Sequence, residues 1–465
     1  MRTIRGVIVT TRLVRVIPAA LAALLAVAAP AALAACAPAA SAAPARPPAA
    51  SPPAVPLQAA RHQAASHQAA SHQAASHQAA SHQAASHQAA SHQAASHQAA
   101  ARPAASSPPL LTSVAFTTPR HGYGVFTSQR GGRCQAAVGA TSDGGRRFTR
   151  PANVATWSCG GYPLSATLAA GTRGDVFWFG PGLFTSQDGG RVWHRARPGG
   201  AVLALAAAGR SAWALVARCQ GRGQQLTQCP VRLIVSGDGG RTWRPARHQL
   251  PGATVPGFGR RPDGTAELVR AGPAAYVLTS PEAAGRPARA RIWVSRDGGA
   301  AWSRHPVLCG LQGLSAALAV TPAGTIFVAC AGEPSAGAQA KSLAWSADGG
   351  RTWMLRRPCR TGVALGCPPL SLGYLGQIAA PAGRTVFLAG PRSSLLVTRD
   401  GGRAWRQVRP LIGDSGGGAD QVAFFGRAGR DGLVFGYDGR HGERPAIWHT
   451  ADGGARWQVV YPSIS

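Results

Sequence analysis

Residues 346–353, Ser346 to Trp353, read SADGGRTW, and the same frame returns six more times. It appears as TSDGGRRF (141–148), SQDGGRVW (186–193), SGDGGRTW (236–243), SRDGGAAW (295–302), TRDGGRAW (398–405) and TADGGARW (450–457). A chain with 17 Asp and Glu therefore places Asp143, Asp188, Asp238, Asp297, Asp348, Asp400 and Asp452 in one repeated setting. Between two strands, Asp-Gly-Gly is hairpin chemistry. The glycines supply positive φ, and the Asp side chain accepts backbone N–H bonds within the turn. The Ser or Thr two residues earlier adds a further local bond. The aromatic five residues after the Asp is Phe148, Trp193, Trp243, Trp302, Trp353, Trp405 or Trp457. It opens the next strand and covers the gap toward a neighbouring unit.

Successive aspartates lie 45, 50, 59, 51, 52 and 52 residues apart. Periods near fifty with strand-like contents indicate propeller blades. Each unit carries an apolar segment such as 377–380, a Gly-containing turn (382–384), a β-prone run (385–388), a further strand (395–398), and a last strand after the box. The expectation is an all-β fold, a seven-bladed β-propeller with four-stranded antiparallel blades over 110–465. The frame resembles the Asp box of bacterial neuraminidase repeats, shared by sialidases, xyloglucanases, sortilin-type receptors and photosystem II assembly-factor-like propellers. Seven evenly spaced boxes look most like the assembly-factor type, whose F…HGWAVG opening is echoed by Phe116 and His121-Gly122-Tyr123-Gly124-Val125. In those families the box is peripheral and structural, so the resemblance implies scaffold and no catalysis for these aspartates.

The first quarter of the chain is of another kind. Arg2, Arg5, Arg12 and Arg15 precede an apolar run from Val16 to Ala35, the layout of an export signal over 1–35. Leu33-Ala34-Ala35-Cys36 resembles a bacterial lipobox, which implies lipidation at Cys36 and a place on the outer face of the cytoplasmic membrane. Cleavage near Ser41-Ala42-Ala43, giving a secreted chain, is the alternative, and an uncleaved anchor a third. Residues 36–109 form a disordered, low-complexity linker of Pro, Ala and repeated HQAAS, with histidines every five residues from His62 to His97. That period spirals around a helix and gives no shared metal-binding face. A polar spacer is expected, with a weak metal-binding tract as the alternative. Eight cysteines remain after Cys36, an even number suited to an oxidising compartment. Nearest-neighbour pairing would join Cys219–Cys229, Cys359–Cys367, Cys134–Cys159 and Cys309–Cys330, one of 105 arrangements open to eight cysteines. There is no C-x-x-C pair, and neither metal nor cofactor is expected.

If the box joins the third and fourth strands of a unit (c and d), the b–c and d–a loops lie at the opposite end. Those loops vary: 218–230, 280–290, 331–341 and 436–445 between b and c, and 149–164, 244–262 and 354–376 between d and a. A partner is expected there, an extracellular protein or glycan. The net charge of +31 is almost wholly arginine. Arg195, Arg197, Arg304, Arg356, Arg357, Arg406 and Arg409 follow the boxes on edge strands, where charge blocks edge-to-edge pairing. Weak polyanion binding is a second reading of them, and no specific nucleic acid is expected. A glycosidase of the sialidase type, the competing function, would need paired carboxylates. Its candidates at the loop end are Asp438, Glu443 and Tyr437, with Asp414 and Asp420. The resemblance would demand an Arg triad and an R-I-P motif near the first unit; that motif is absent, and no catalytic residue is assigned. How the ring closes is open: by packing, by 110–112 adding a strand, or through a disulfide.

Overall fold

The computed structural model describes residues 108–461 except 160–166, 172–173, 181, 222–225, 280–289, 310–314, 336–337, 357–372, 391–392, 409–417, 427 and 439–443. The export signal, Cys36, the HQAAS tract, Cys359, Cys367, Asp414 and Glu443 lie outside the described residues.

Among the described residues every regular element is a strand. The strands group into seven antiparallel units, over 110–158, 167–196, 201–262, 266–307, 315–356, 378–407 and 418–461, the last two joined into one sheet by the pairing of Gly390 with Ala419. In each unit four strands follow one another in sequence order; unit 1 runs Leu110–Phe116, Gly122–Arg130, Arg133–Thr141, Ala152–Ser158. The first strands of successive units touch one another in cyclic order, from unit 1 through unit 7 and back to unit 1. This is a β-propeller.

The second strands carry the core because both of their faces are covered. In Val176–Phe179 all four side chains are buried. Successive residues of a strand point to opposite faces, so Phe177 packs toward unit 3 while Trp178 packs toward unit 1. In Val386–Gly390, Phe387 faces unit 7 and Leu388 faces unit 5. Continuous apolar runs are the sequence signature of such two-sided burial. Each of these side chains contributes roughly 2–3 kcal/mol of burial.

Seven apolar clusters fill the seven gaps between neighbouring units. The last holds Leu433, Phe435, Ile447 and Tyr461 of unit 7 against Leu111, Phe126 and Phe148 of unit 1. Leu110–Phe116 pairs only within unit 1, and Gln458–Tyr461 only within unit 7. The ring therefore closes by packing, which settles the alternatives left by the sequence.

Three segments expected as loops are ordered. Residues 152–158 form the fourth strand of unit 1. Residues 331–335 and 338–341 belong to the paired strands Ile326–Ser335 and Ala338–Ser346. Within 244–262 the fourth strand of unit 3 is split: Arg244–Pro245 pairs with Ile234 and Val235, and Thr254–Phe258 pairs with 226–230. Arg261–Pro262 then adds a further strand. This extension is seated on the Cys219–Cys229 disulfide. A Cβ on Gly257 would meet Cys229 Sγ at 2.4 Å, so only glycine fits there.

Candidate functional site

The box turns share one geometry. The Ser or Thr hydroxyl donates to the Asp Oδ1, at 2.7–2.9 Å in all seven. The same hydroxyl accepts the N–H of the second glycine at 2.8–3.0 Å. Both glycines have φ between 71° and 90° in every box. The Asp carboxylate also accepts amides further along the turn, as from Val192, Thr242 and Arg456. In six boxes the first glycine N–H reaches a carbonyl of the a–b turn in its own unit, as Gly239 does with Arg210. Boxes and a–b turns therefore share one end of the ring.

These bonds keep the carboxylates ionised. For Asp238 partial burial raises the pKa, but the hydroxyl and amide of Thr242 and the Ser236 hydroxyl outweigh it and pull it down to about 2. Asp348 is lowered chiefly by Thr352 and Ser346. The box aromatic packs back on the preceding unit. Trp243 meets Phe177 edge-on at 6.2 Å, Trp302 lies 6.3 Å from Trp213, and Phe148 lies 5.8 Å from Tyr461. Trp193, Trp243, Trp353 and Trp457 donate their indole N–H to the second box glycine's carbonyl. Trp353 and Trp405 complete the clusters of units 4–5 and 5–6. Each box thus ties a turn, a strand and an interface together, with its carboxylate Oδ1 bonded into the turn.

The opposite end is built differently. Cys134–Cys159, Cys219–Cys229 and Cys309–Cys330 are disulfide-bonded there, each next to a b–c or d–a connection. Phe258 and Leu308 are large apolar side chains exposed at this end. Of the glycosidase candidates, Tyr437 and the backbone of Asp438 lie at the end of Asp431–Asp438, paired with Gly418 and Arg444. Tyr437 stacks edge-on against Phe435 at 5.8 Å. Asp420 occupies the bulge between Ala419 and Gln421, where desolvation raises its pKa to about 6. The structure brings Asp420 and Tyr437 to the same end of unit 7.

Two features escaped sequence reasoning. Lys341, the chain's only lysine, is fully buried and donates to the carbonyls of Gln339 at 3.1 Å and Gly373 at 2.9 Å; desolvation lowers its pKa to about 8. Along the axis, Glu267 Oε2 accepts the N–H of Leu318 in the next unit at 2.6 Å. Gln421 Oε1 takes Val114 N–H at 2.9 Å, and Gln377 Oε1 takes Val422 N–H at 3.4 Å, across two further junctions. Where the inward edge of a first strand meets no strand ladder, these side chains supply acceptors for its amides. Burial pushes Glu267 up to about 7, opposed by the Leu318 amide.

At the box-bearing end a cavity of about 600 Å³ opens where unit 7 meets unit 1. It joins Arg120, His121, Arg146 and His449 with the carboxylates of Asp143 and Asp431. His449 Nε2 lies 3.8 Å from Asp431 Oδ1. Burial and the nearby Arg146 lower the His449 pKa against the pull of Asp431. Among the described residues no group of three or more His, Cys, Asp or Glu could hold a metal ion.

No family model and no curated protein matches the chain. Among solved structures it is similar to YCF48 from Cyanidioschyzon merolae, at 18% identity and TM-score 0.46 over 76% of this chain and 100% of that one. It is similar to the β-propeller domain of the Trilobed protease from Pyrococcus furiosus, at 6% identity and TM-score 0.45, over 77% and 99% of the two chains. It is also similar to the GH74 enzyme of Niastella koreensis, at 14% identity and TM-score 0.45, over 76% and 59%.

Proposed function

We propose that this chain is an exported, non-catalytic binding scaffold that receives an extracellular protein or glycan on the loop-bearing end of its propeller, held at the cell surface through a lipid on Cys36. The observation that carries the reading is the asymmetry of the two ends. One end repeats a single turn seven times, with its carboxylates bonded into the turns. The other is non-repeating and stapled by three disulfides, and it exposes Phe258 and Leu308. Disulfides persist in oxidising compartments, in keeping with export. Variable loops over a rigid ring are where recognition is usually carried.

A photo-crosslinking residue placed at Phe258 or Leu308, in the full chain on its native cells, is expected to capture a discrete partner. The same residue at Val192, exposed on a box, is expected to capture none. Equal capture from Val192 would contradict the proposal. The competing hydrolase reading draws support from Asp420, whose raised pKa suits a proton donor, near Tyr437. Turnover of a fluorogenic glycoside panel that is lost in Asp420→Asn would replace the binding reading with it.

A further inference from the structure

The residue between the Ser/Thr and the Asp of a box can cross the notch toward the next unit. In unit 2 it is Gln187, whose Nε2 donates to the carbonyl of Asp238 in unit 3. In unit 4 it is Arg296, whose Nη2 donates to the carbonyl of Asp348 in unit 5 at 3.4 Å. In unit 5 it is Ala347, and there Arg384 of unit 6 fills the space by lying 5.3 Å over the Trp345 ring. In unit 3 the residue is Gly237, which cannot cross, and the facing box of unit 4 carries Ala300 where five of the others carry arginine. Both departures from the repeat meet at one junction, which Arg270 of unit 4 crosses only in part, lying 4.4 Å over the Trp213 ring and donating to Ser211. A cavity of about 360 Å³ lies there, in the size range of small-molecule sites.

Its chemistry is one-sided. Trp213, Leu233 and Val235 form an apolar wall; Arg244, Arg247 and His248 stand on the rim, and no carboxylate side chain lines it. The nearest box acids, Asp238 and Asp297, are bonded into their own turns. The opening exists because Pro245 ends a two-residue fourth strand. The chain then turns aside, with Gln249 bonding both the N–H and the carbonyl of Leu233.

We infer that the notch between units 3 and 4 binds a small organic anion, a carboxylate or phosphate monoester with an apolar ring or chain. The anionic group is taken by Arg244 and Arg247 and the apolar body lies against Val235 and the edge of Trp213. Guanidinium groups suit such anions because they offer paired donors in a fixed plane. An uncharged analogue would leave the rim unpaired, and an inorganic anion would leave the apolar wall wet.

The test is isothermal titration calorimetry of the full chain at low salt, where rim charges are least screened. Benzoate and phenyl phosphate are the organic anions, benzamide the neutral analogue and inorganic phosphate the bare one. At least one of the two organic anions is expected to bind, and more tightly than benzamide and inorganic phosphate. Arg244→Ala with Arg247→Ala is expected to weaken it roughly tenfold or more, the size of a lost charge-assisted hydrogen bond. Gly237→Gln should abolish binding by supplying the crossing side chain seen at Gln187; a Cβ there meets no atom within 4 Å, so the fold tolerates it. Ala451→Gln, at the junction of units 7 and 1, should leave binding unchanged, and unchanged thermal melts establish that the variants are folded. Failure of both organic anions to bind, equal binding of benzamide or inorganic phosphate, or organic-anion binding that persists in Gly237→Gln would overturn the inference.

Discussion

At the residue scale, the Ser or Thr of the box matters as much as the Asp. Ser346 is buried, and its hydroxyl both donates to Asp348 and accepts Gly350 N–H at 2.8 Å. In Ser346→Ala that amide loses its acceptor, and we expect a loss of about 1–3 kcal/mol in urea unfolding. The aspartates give a pH signature. Their folded pKa values lie below the unfolded ones, with Asp238 at about 2. The stability they add is present above the unfolded value of about 4 and is lost as pH falls toward 2. A thermal-midpoint titration should show that decline, and a flat profile from pH 5 to 2 would contradict it. Glu267 has the opposite sign. Its folded pKa is raised to about 7, so its carboxyl stabilises below about pH 4.5 and costs stability as pH rises through 7. Glu267→Gln keeps an acceptor for Leu318, as Gln421 does for Val114. It should stabilise the protein at pH 8 by on the order of 2 kcal/mol and do little at pH 4, read by thermal melts at both values. The axial acceptors were not legible in the sequence, because a single Glu or Gln in an apolar strand looks the same whether it meets water or the next unit's backbone.

At the element scale, the box hairpins were legible because a turn with two positive-φ glycines is decided by its own few residues. The extension of unit 3 was not. Its strand Thr254–Phe258 contains Pro256 and Gly257, which read as loop, and its partner 226–230 is non-local. What holds it is the Cys219–Cys229 disulfide against Gly257, a contact no local pattern reveals. Replacing both cysteines with serine should therefore loosen this element first. Hydrogen exchange is expected to quicken across 226–230 and 254–262 and to stay unchanged in the box turn of 236–243. Uniform quickening of the whole unit would show that the disulfide supports the ring and not the extension.

At the scale of the whole molecule, the number of sectors followed from counting boxes, but the manner of closure did not. Both chain ends of the propeller fall at the junction of units 7 and 1, where no strand crosses and apolar packing, with Gln421 bonding Val114 and Ser113, joins the sheets. Ile447 is fully buried in that seam. Ile447→Ala should cost about 2–5 kcal/mol, measured by urea unfolding, and a loss below 1 kcal/mol would mean the seam is not a packed core. The contrast between the ends also belongs here, since the box turns share one backbone geometry and the connections at the other end do not.

The most direct test of the closed ring is a cross-link across its seam. Val114 N–H bonds to Gln421 Oε1 at 2.9 Å although the two residues are 307 positions apart in the chain. Cysteines at these two positions, treated with a short bismaleimide under non-reducing conditions, should join within a single chain and yield a compact, faster-migrating monomer. No intramolecular product, or only cross-linked dimers, would contradict a ring in which the seventh unit packs directly on the first.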